Sequence, residues 1–451
     1  MNEAKSDFTR GSIIGKLIPF MMPVLGSLVL QMMYGAVDVI IIGHFGSTAG
    51  LSGVSTGSSV LNLVTLVVTW LSMGVTVLIG RYLGEANREK IGPLLGGTAV
   101  LFSLISALLF VVMFFSARHI AVIMRSPPEA EGLTALYIRI CGLGIFFIVA
   151  YNVVSAVFRG LGDSRTPMLL VAFACCVNVI LDLALVAGFR MDVAGAALAT
   201  VAAQAASVLL AALLVRRRGL PFAVRRCDLR LGQDACDIIK VGLPLTLQEL
   251  LTQLSFLVLV AFINVLGLEA SSGYGVASKV IGFIMLTPSA ITQAMSSFVS
   301  QNVGAGLEER ARQTIHVGMS AGVAIGLMVF YAVFFHGDLI SGLFTDDAVV
   351  IAKSFEYLRG YASEAVLTAI CFSFVGYFNG HQQTLFVMLQ GIGQILVRLP
   401  FAYYMSTRPN ASLTYVAMAA SAATSFGIIV NWLYFLYFNR ALSRKRGTKG
   451  E

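Results

Sequence analysis

Apolar runs of about 20 residues recur from one end of this chain to the other, and that recurrence constrains the fold more than any motif. Each run is long enough to cross a hydrocarbon core as a helix, a form that satisfies its own backbone hydrogen bonds in lipid. Between polar breaks the runs fall near 13–43, 52–82, 93–116, 133–160, 166–187 and 193–215, then near 236–265, 275–302, 313–336, 352–379, 384–406 and 412–438. Charge agrees: of 451 residues only 12% are charged, about half of the roughly 25% usual in a soluble domain. A water-facing surface cannot be built from so few, and the mean hydropathy of +0.84 points the same way. The chain therefore reads as an all-α integral membrane protein of about twelve transmembrane helices. Its first run extends well past an apolar core of about 15 residues and lacks a small-residue cleavage site, so it reads as a span, not a cleaved signal.

Basic residues orient the spans. With the amino terminus inside, 21 lysines and arginines fall on that side, and only Arg118, Arg125, Arg190 and Arg408 fall on the other. Such a bias sets topology, so both termini are expected in the cytoplasm, in a cell inner membrane. The net charge of +8 is then a topological signal, and no nucleic-acid partner is expected. The densest basic cluster runs from Arg216 to Arg230, within an expected cytoplasmic linker at 216–235. This linker would join an amino-terminal lobe, 1–215, to a carboxy-terminal lobe with a basic tail, 236–451. Anionic membrane lipid is a further partner that such a cluster can hold. The six cysteines, with Cys175 and Cys176 adjacent, show no metal spacing, and most fall in apolar runs, where free cysteine behaves as a small hydrophobe. Asn410-Ala411-Ser412 matches a glycosylation sequon and reads as chance.

The two halves are related. Tyr137-Ile138-Arg139 recurs as Tyr357-Leu358-Arg359, Phe158-Arg159-Gly160 as Phe378-Asn379-Gly380, and Gly84 as Gly304, all at an offset of 220. Pro23 and Pro244, and Gly46 and Gly267, match at 221. Six spans per half return the chain to the same side, so the repeat is parallel, a pseudo-two-fold about the membrane normal. Two six-helix lobes of this kind would enclose a cavity opening alternately to each side.

Specific binding needs that symmetry broken. Four acids lie deep in the expected spans, Asp38, Asp182, Glu249 and Glu364, and an ionisable group there is costly enough to need a reason. Asp38 corresponds to Leu259 and Asp182 to Ala402, so both aspartates belong to the first half alone. Asn178 lies four residues before Asp182, on the same helical face, and corresponds to Arg398. Two buried carboxylates without a base would be relieved by one proton or one sodium ion. Glu249 and Glu364 share their half with Arg398, which could neutralise them as a structural ion pair; otherwise they meet substrate. Pro23 is the expected hinge, because proline removes a helical hydrogen bond and permits bending.

Three motifs then carry a resemblance. Arg159-Gly160-Leu161-Gly162-Asp163-Ser164-Arg165-Thr166-Pro167, Gly195-Ala196-Ala197-Leu198-Ala199-Thr200 and Gln301-Asn302-Val303-Gly304-Ala305-Gly306 are similar to those of the multidrug and toxic compound extrusion (MATE) transporters. The likeness spans essentially the whole chain and is greatest to the DinF-like branch. It implies cation-coupled efflux of bulky, often cationic and aromatic compounds by rocking of two lobes. It also implies a cation site in the amino-terminal lobe at Asp38, Asn178, Asp182 and Thr200, with the Ala196 carbonyl. Were the ion sodium, the four side chains would be its metal ligands, an all-oxygen set suited to a hard cation. Tyr34, one turn before Asp38, lines the same region. Gln31, Asn152, Glu249, Gln253, Glu364 and Arg398 are the other cavity or substrate candidates. The NorM-like branch instead uses an aspartate in its tenth helix; near that position this chain has Thr368.

The expected function is thus a proton- or sodium-coupled antiporter of drug-like molecules, acting as a monomer without another cofactor. A lipid-linked precursor flippase of the same architecture is the alternative, and it would be expected to hold a more basic cavity than Arg398 and Lys279 provide. No His-Glu-x-x-His pattern is present and the five histidines are scattered, so an enzyme is not expected.

Overall fold

The computed structural model describes residues 7–218, 225–408 and 411–447; Lys5, residues 219–224 of the expected linker, Asn410 of the sequon and Lys449 lie outside the described residues. The long elements are helices: α1 (Ile13–Phe45), α2 (Thr48–Gly84), α3 (Ile91–Phe115), α4 (Ala117–Ile123), α5 (Pro128–Leu143), α6 (Ile145–Gly160), α7 (Arg165–Asp182) and α8 (Asp192–Arg218). They continue as α9 (Gln233–Asn264), α10 (Leu268–Ile284), α11 (Leu286–Gly304), α12 (Glu308–Gly342), α13 (Ala348–Tyr361), α14 (Glu364–Gly380), α15 (Thr384–Ser406) and α16 (Leu413–Gly447). Among the described residues ten spans are long and apolar enough to cross a membrane, and two bent pairs raise the number to twelve.

Surface chemistry follows from that setting. On α3, Leu104, Leu108, Val111 and Phe115 recur at helical spacing and are exposed by 53%, 64%, 50% and 68%. Such an apolar stripe is stable only against lipid. The opposite side of α3 presents Gly96, Gly97 and Leu101 to its own unit.

The chain forms two compact units. The first holds Pro19–Thr246 and Ser300–Leu307 with the described part of Met1–Ser12; the second holds Ile13–Ile18, Leu247–Val299 and the residues from Glu308 onward. In the first, Val54, Leu61, Ile79, Leu94, Ile138 and Ile148 are among the core residues. Small residues let these helices approach closely, as is common where lipid offers no drive to bury apolar side chains. A Cβ on Gly57 of α2 would lie 2.5 Å from the Tyr137 ring on α5. In the second unit, Tyr357 and Tyr361 of α13 stack 6.2 Å apart between Tyr274 of α10 and the helices beyond.

The repeat is carried by the backbone even where residue types differ. Left-handed φ values occur at Ala86 (54°) and Gly306 (73°), and again at Gly162 (79°) and Gln382 (61°), each pair 220 residues apart. Both bent pairs also correspond. The run expected as one helix over 133–160 bends by 56° between α5 and α6, and that expected over 352–379 bends by 44° between α13 and α14. Neither break contains proline, which is why apolar periodicity alone reads straight through them. The opposite holds in α1, which runs as one helix through Pro19 and Pro23. There the Ser27 hydroxyl donates to the Pro23 carbonyl at 2.9 Å.

Candidate ion site in the amino-terminal unit

Three helices bring the expected residues together. α1 supplies Tyr34 and Asp38, α7 supplies Asn178 and Asp182 one turn apart, and α8 supplies Ala196 and Thr200, also one turn apart. Asp182 is the last α-helical residue of its element; beyond it the chain widens into a π-turn over Leu183–Gly188. Gly195 packs closely on this π-turn, since a Cβ there would meet Leu185 and Val186 at 3.1 Å.

Burial is nearly complete. Asp38 is 3% exposed, Thr200 2%, and Asn178 and Asp182 0%. The two carboxyl groups neighbour each other with Asn178 beside both. The Thr200 hydroxyl reaches Asp38 Oδ2 at 3.1 Å and the Ala196 carbonyl at 3.0 Å. It has one hydrogen for these two acceptors. The Tyr34 hydroxyl donates to the Thr200 carbonyl at 3.2 Å. Five buried atoms have no hydrogen-bond partner among the described residues: Asp38 Oδ1, both oxygens of Asp182, and both Oδ1 and Nδ2 of Asn178. Among the described residues, no lysine or arginine forms an ion pair with either aspartate. Buried polar atoms are rarely left in this condition, and each is costly.

The chain's membership is decided by two matched segments. The sequence profile of the MatE family matches residues 23–184 and again 244–404, offset by 221 at the start and 220 at the end. The chain belongs to the MatE family. It is 25% identical over 441 residues, 96% of either chain, to the probable multidrug resistance protein YpnP of Bacillus subtilis. It is 23% identical over 405 residues, 88% of either chain, to the multidrug export protein MepA of Staphylococcus saprophyticus. Among solved structures, an outward-facing multidrug resistance MATE transporter of the MOP superfamily superposes with a TM-score of 0.88 at 21% identity, covering 97% of this chain and 98% of that one. A MOP-superfamily transporter from Pyrococcus furiosus, described as having a binding pocket of reversed polarity, superposes at 0.89 with 20% identity and the same coverage. These structures share the fold. As a MatE protein, the chain is a multi-pass membrane transporter and not an enzyme.

The remaining expected residues do not join the aspartates. Asn152 is engaged by its own surroundings, donating to the Ile148 carbonyl at 2.8 Å and accepting from Thr69 at 3.0 Å. Gln31 is exposed on α1. In the second unit, Gln253 donates to Glu249 at 3.1 Å, and Thr424 donates to Glu364 Oε1 at 2.6 Å, leaving Oε2 without a partner.

Of the two roles left open for Glu249 and Glu364, the ion pair with Arg398 does not form. Arg398 is 6% exposed; it donates to the Ser255 hydroxyl at 2.9 Å and lies 4.5 Å from the Phe256 ring centroid. The reason is helical phase. Ser255 follows Glu249 by six residues, which turns it about 240° around α9, and the Glu364 carboxyl faces α16. Thr368, on the same α14, donates to the Glu364 backbone carbonyl at 2.6 Å.

A further residue lies at the site. Tyr137 on α5 is 1% exposed and its hydroxyl has no partner. It sits among Cys141, Asp38, Tyr34 and Thr200. In the sequence Tyr137-Ile138-Arg139 marks the internal repeat, and nothing in that pattern distinguishes Tyr137 from its second-half equivalent Tyr357.

Proposed function

We propose that this transporter exports bulky organic compounds, often cationic and aromatic, in exchange for a proton or sodium ion bound at Asp38, Asn178, Asp182 and Thr200. The observation that carries the reading is the set of five buried polar atoms, on two acids and an amide, that have no hydrogen-bond or ion-pair partner among the described residues. Carboxylate, amide, hydroxyl and carbonyl oxygens form a hard donor set that suits sodium, and the same carboxylates suit a proton. The ion would make good the lost hydration of the aspartates, and its departure would leave them costly again. Relatives named as multidrug export and resistance proteins support the substrate class.

Energetics permit the exchange. One charge moving inward gains about 2.3 kcal/mol per 100 mV of membrane potential. With a modest chemical gradient added, that sustains a roughly hundredfold gradient of a neutral compound. Pro23 is the proposed hinge through which ion occupancy reshapes the amino-terminal lobe during alternating access. Glu249, Gln253, Glu364 and Arg398 are proposed to meet substrate. Both termini are proposed to lie in the cytoplasm and the working unit to be a monomer. Dye efflux from proteoliposomes with pH and sodium gradients imposed separately tests the proposal. Asp38→Asn is expected to abolish gradient-driven efflux, and efflux unchanged from wild type would refute the assignment.

A further inference from the structure

The break between α5 and α6 stands directly against the ion site, where it packs on Val201 of α8. Gly144, at the break, has φ −87° and ψ 0°, angles open to other residues. Glycine is required by space. A Cβ at 144 would lie 2.4 Å from both methyl groups of Val201 and 2.9 Å from its Cβ. Val201 follows Thr200, whose hydroxyl is 3.1 Å from Asp38 and whose carbonyl accepts from Tyr34. The first turns of α5 away from the break place Cys141 and Tyr137 beside the same aspartate. The break is therefore seated on the one helix segment that presents Thr200.

The second half supplies an independent reason to regard this as a built feature. Its break falls at the equivalent place, and the residues equivalent to Gly144 and Val201, at the 220 offset, are Glu364 and Ser421. There the break is also seated on the equivalent helix, by a 2.8 Å hydrogen bond between the Ser363 and Ser421 hydroxyls and by Thr424 donating to Glu364. The repeat thus conserves a bend braced at one position of the opposing helix. In the first half the brace is apolar and abuts the aspartates.

We propose that Gly144 and Val201 are positioning residues for the ion site, so that the bend between α5 and α6 and the approach of Thr200 to Asp38 change together. Resting on the ion-site reading above, this makes the fourth span, rather than the proline-bearing first span alone, a part whose angle the bound ion senses. A methyl group at 144 must move Val201 from 2.4 Å to ordinary contact beyond 3.4 Å. A shift of that size in α8, or a straightening of the bend, takes the Thr200 hydroxyl out of hydrogen-bonding range of Asp38. Removing the Val201 methyls creates the room again.

The test measures ethidium efflux from proteoliposomes against sodium concentration at fixed pH, and against pH without sodium. It uses Gly144→Ala, Val201→Ala and the double variant. Gly144→Ala is expected to raise the half-maximal ion concentration at least tenfold while the efflux rate at saturating ion stays within threefold of wild type. The double variant is expected to return to within threefold of the wild-type half-maximal concentration. Should Gly144→Ala not fold, Val201→Ala alone is read, with an expected shift of at least threefold. Wild-type ion dependence in the folded Gly144→Ala protein, failure of the double variant to recover, or an unshifted Val201→Ala protein would each overturn the proposal. Asp38→Asn run alongside separates the two levels: if it abolishes coupling while the Gly144 and Val201 variants leave ion dependence unmoved, the positioning role fails and the ion site stands.

Discussion

Replacing Asp38 by asparagine is the most discriminating perturbation, because it keeps the shape of the site and removes one charge. The asparagine carbonyl can still accept from Thr200, now at 3.1 Å from Asp38 Oδ2, so the expected structural cost is small. The loss falls on the ion. A unit charge about 4 Å away at an effective dielectric of about 20 contributes about 4 kcal/mol, which corresponds to nearly three decades in Kd. At an ion concentration of about 100 times the wild-type Kd, wild type gains about 2.7 kcal/mol of stability by mass action, whereas a variant bound a thousandfold more weakly gains less than about 0.1 kcal/mol. Without added ion the order reverses, because the variant buries one acid fewer and is expected to be the more stable protein. Thermal unfolding in nanodiscs, with sodium chloride titrated against choline chloride and repeated across pH, reads both effects. An ion-dependent stabilisation of Asp38→Asn equal to that of wild type would show that the aspartate pair does not hold the ion.

Further outcomes follow from the same geometry. Thr200→Ala is expected to weaken ion dependence, and Thr200→Ser to restore it within about threefold, in the same efflux assay; equal behaviour of the two would show that the hydroxyl is not a ligand. Arg398→Met is expected to change stability by about 1 kcal/mol or less, because no carboxylate is left unpaired. A loss of 3–5 kcal/mol, the usual cost of breaking a buried ion pair, would restore the pairing that the structure lacks. Gln301→Ala removes the side chain that accepts from the Phe8 amide at 3.3 Å and donates to the Gly160 carbonyl at 3.1 Å. Arg10, 89% exposed, is then expected to be cut several-fold faster by trypsin, and an unchanged rate would show that Phe8 is held without Gln301.

The spans were legible because lipid imposes one rule on every residue of a run, and each run satisfies it locally. The asymmetric aspartates were legible for a related reason. A charge in an apolar run needs no three-dimensional context to be anomalous, and the 220-residue offset shows that Asp38 and Asp182 have no counterparts. Tyr137 was not legible as a site residue, since a tyrosine in an apolar helix is ordinary until it is seen beside Asp38, Tyr34 and Thr200. The partner of Arg398 was not legible, because nearness along the half does not specify helical phase, and phase turns it toward Ser255 and Phe256.

By itself the amino-acid sequence determined the number of crossings, the internal repeat and which half carries the two aspartates, because each depends on composition and spacing along one helix. Only the tertiary structure decided where the fourth and tenth spans bend, which residues surround the aspartates and where each buried charge points. Those outcomes depend on contacts between helices distant in sequence, such as the room that Gly144 leaves for Val201. No local pattern of residues encodes such a contact.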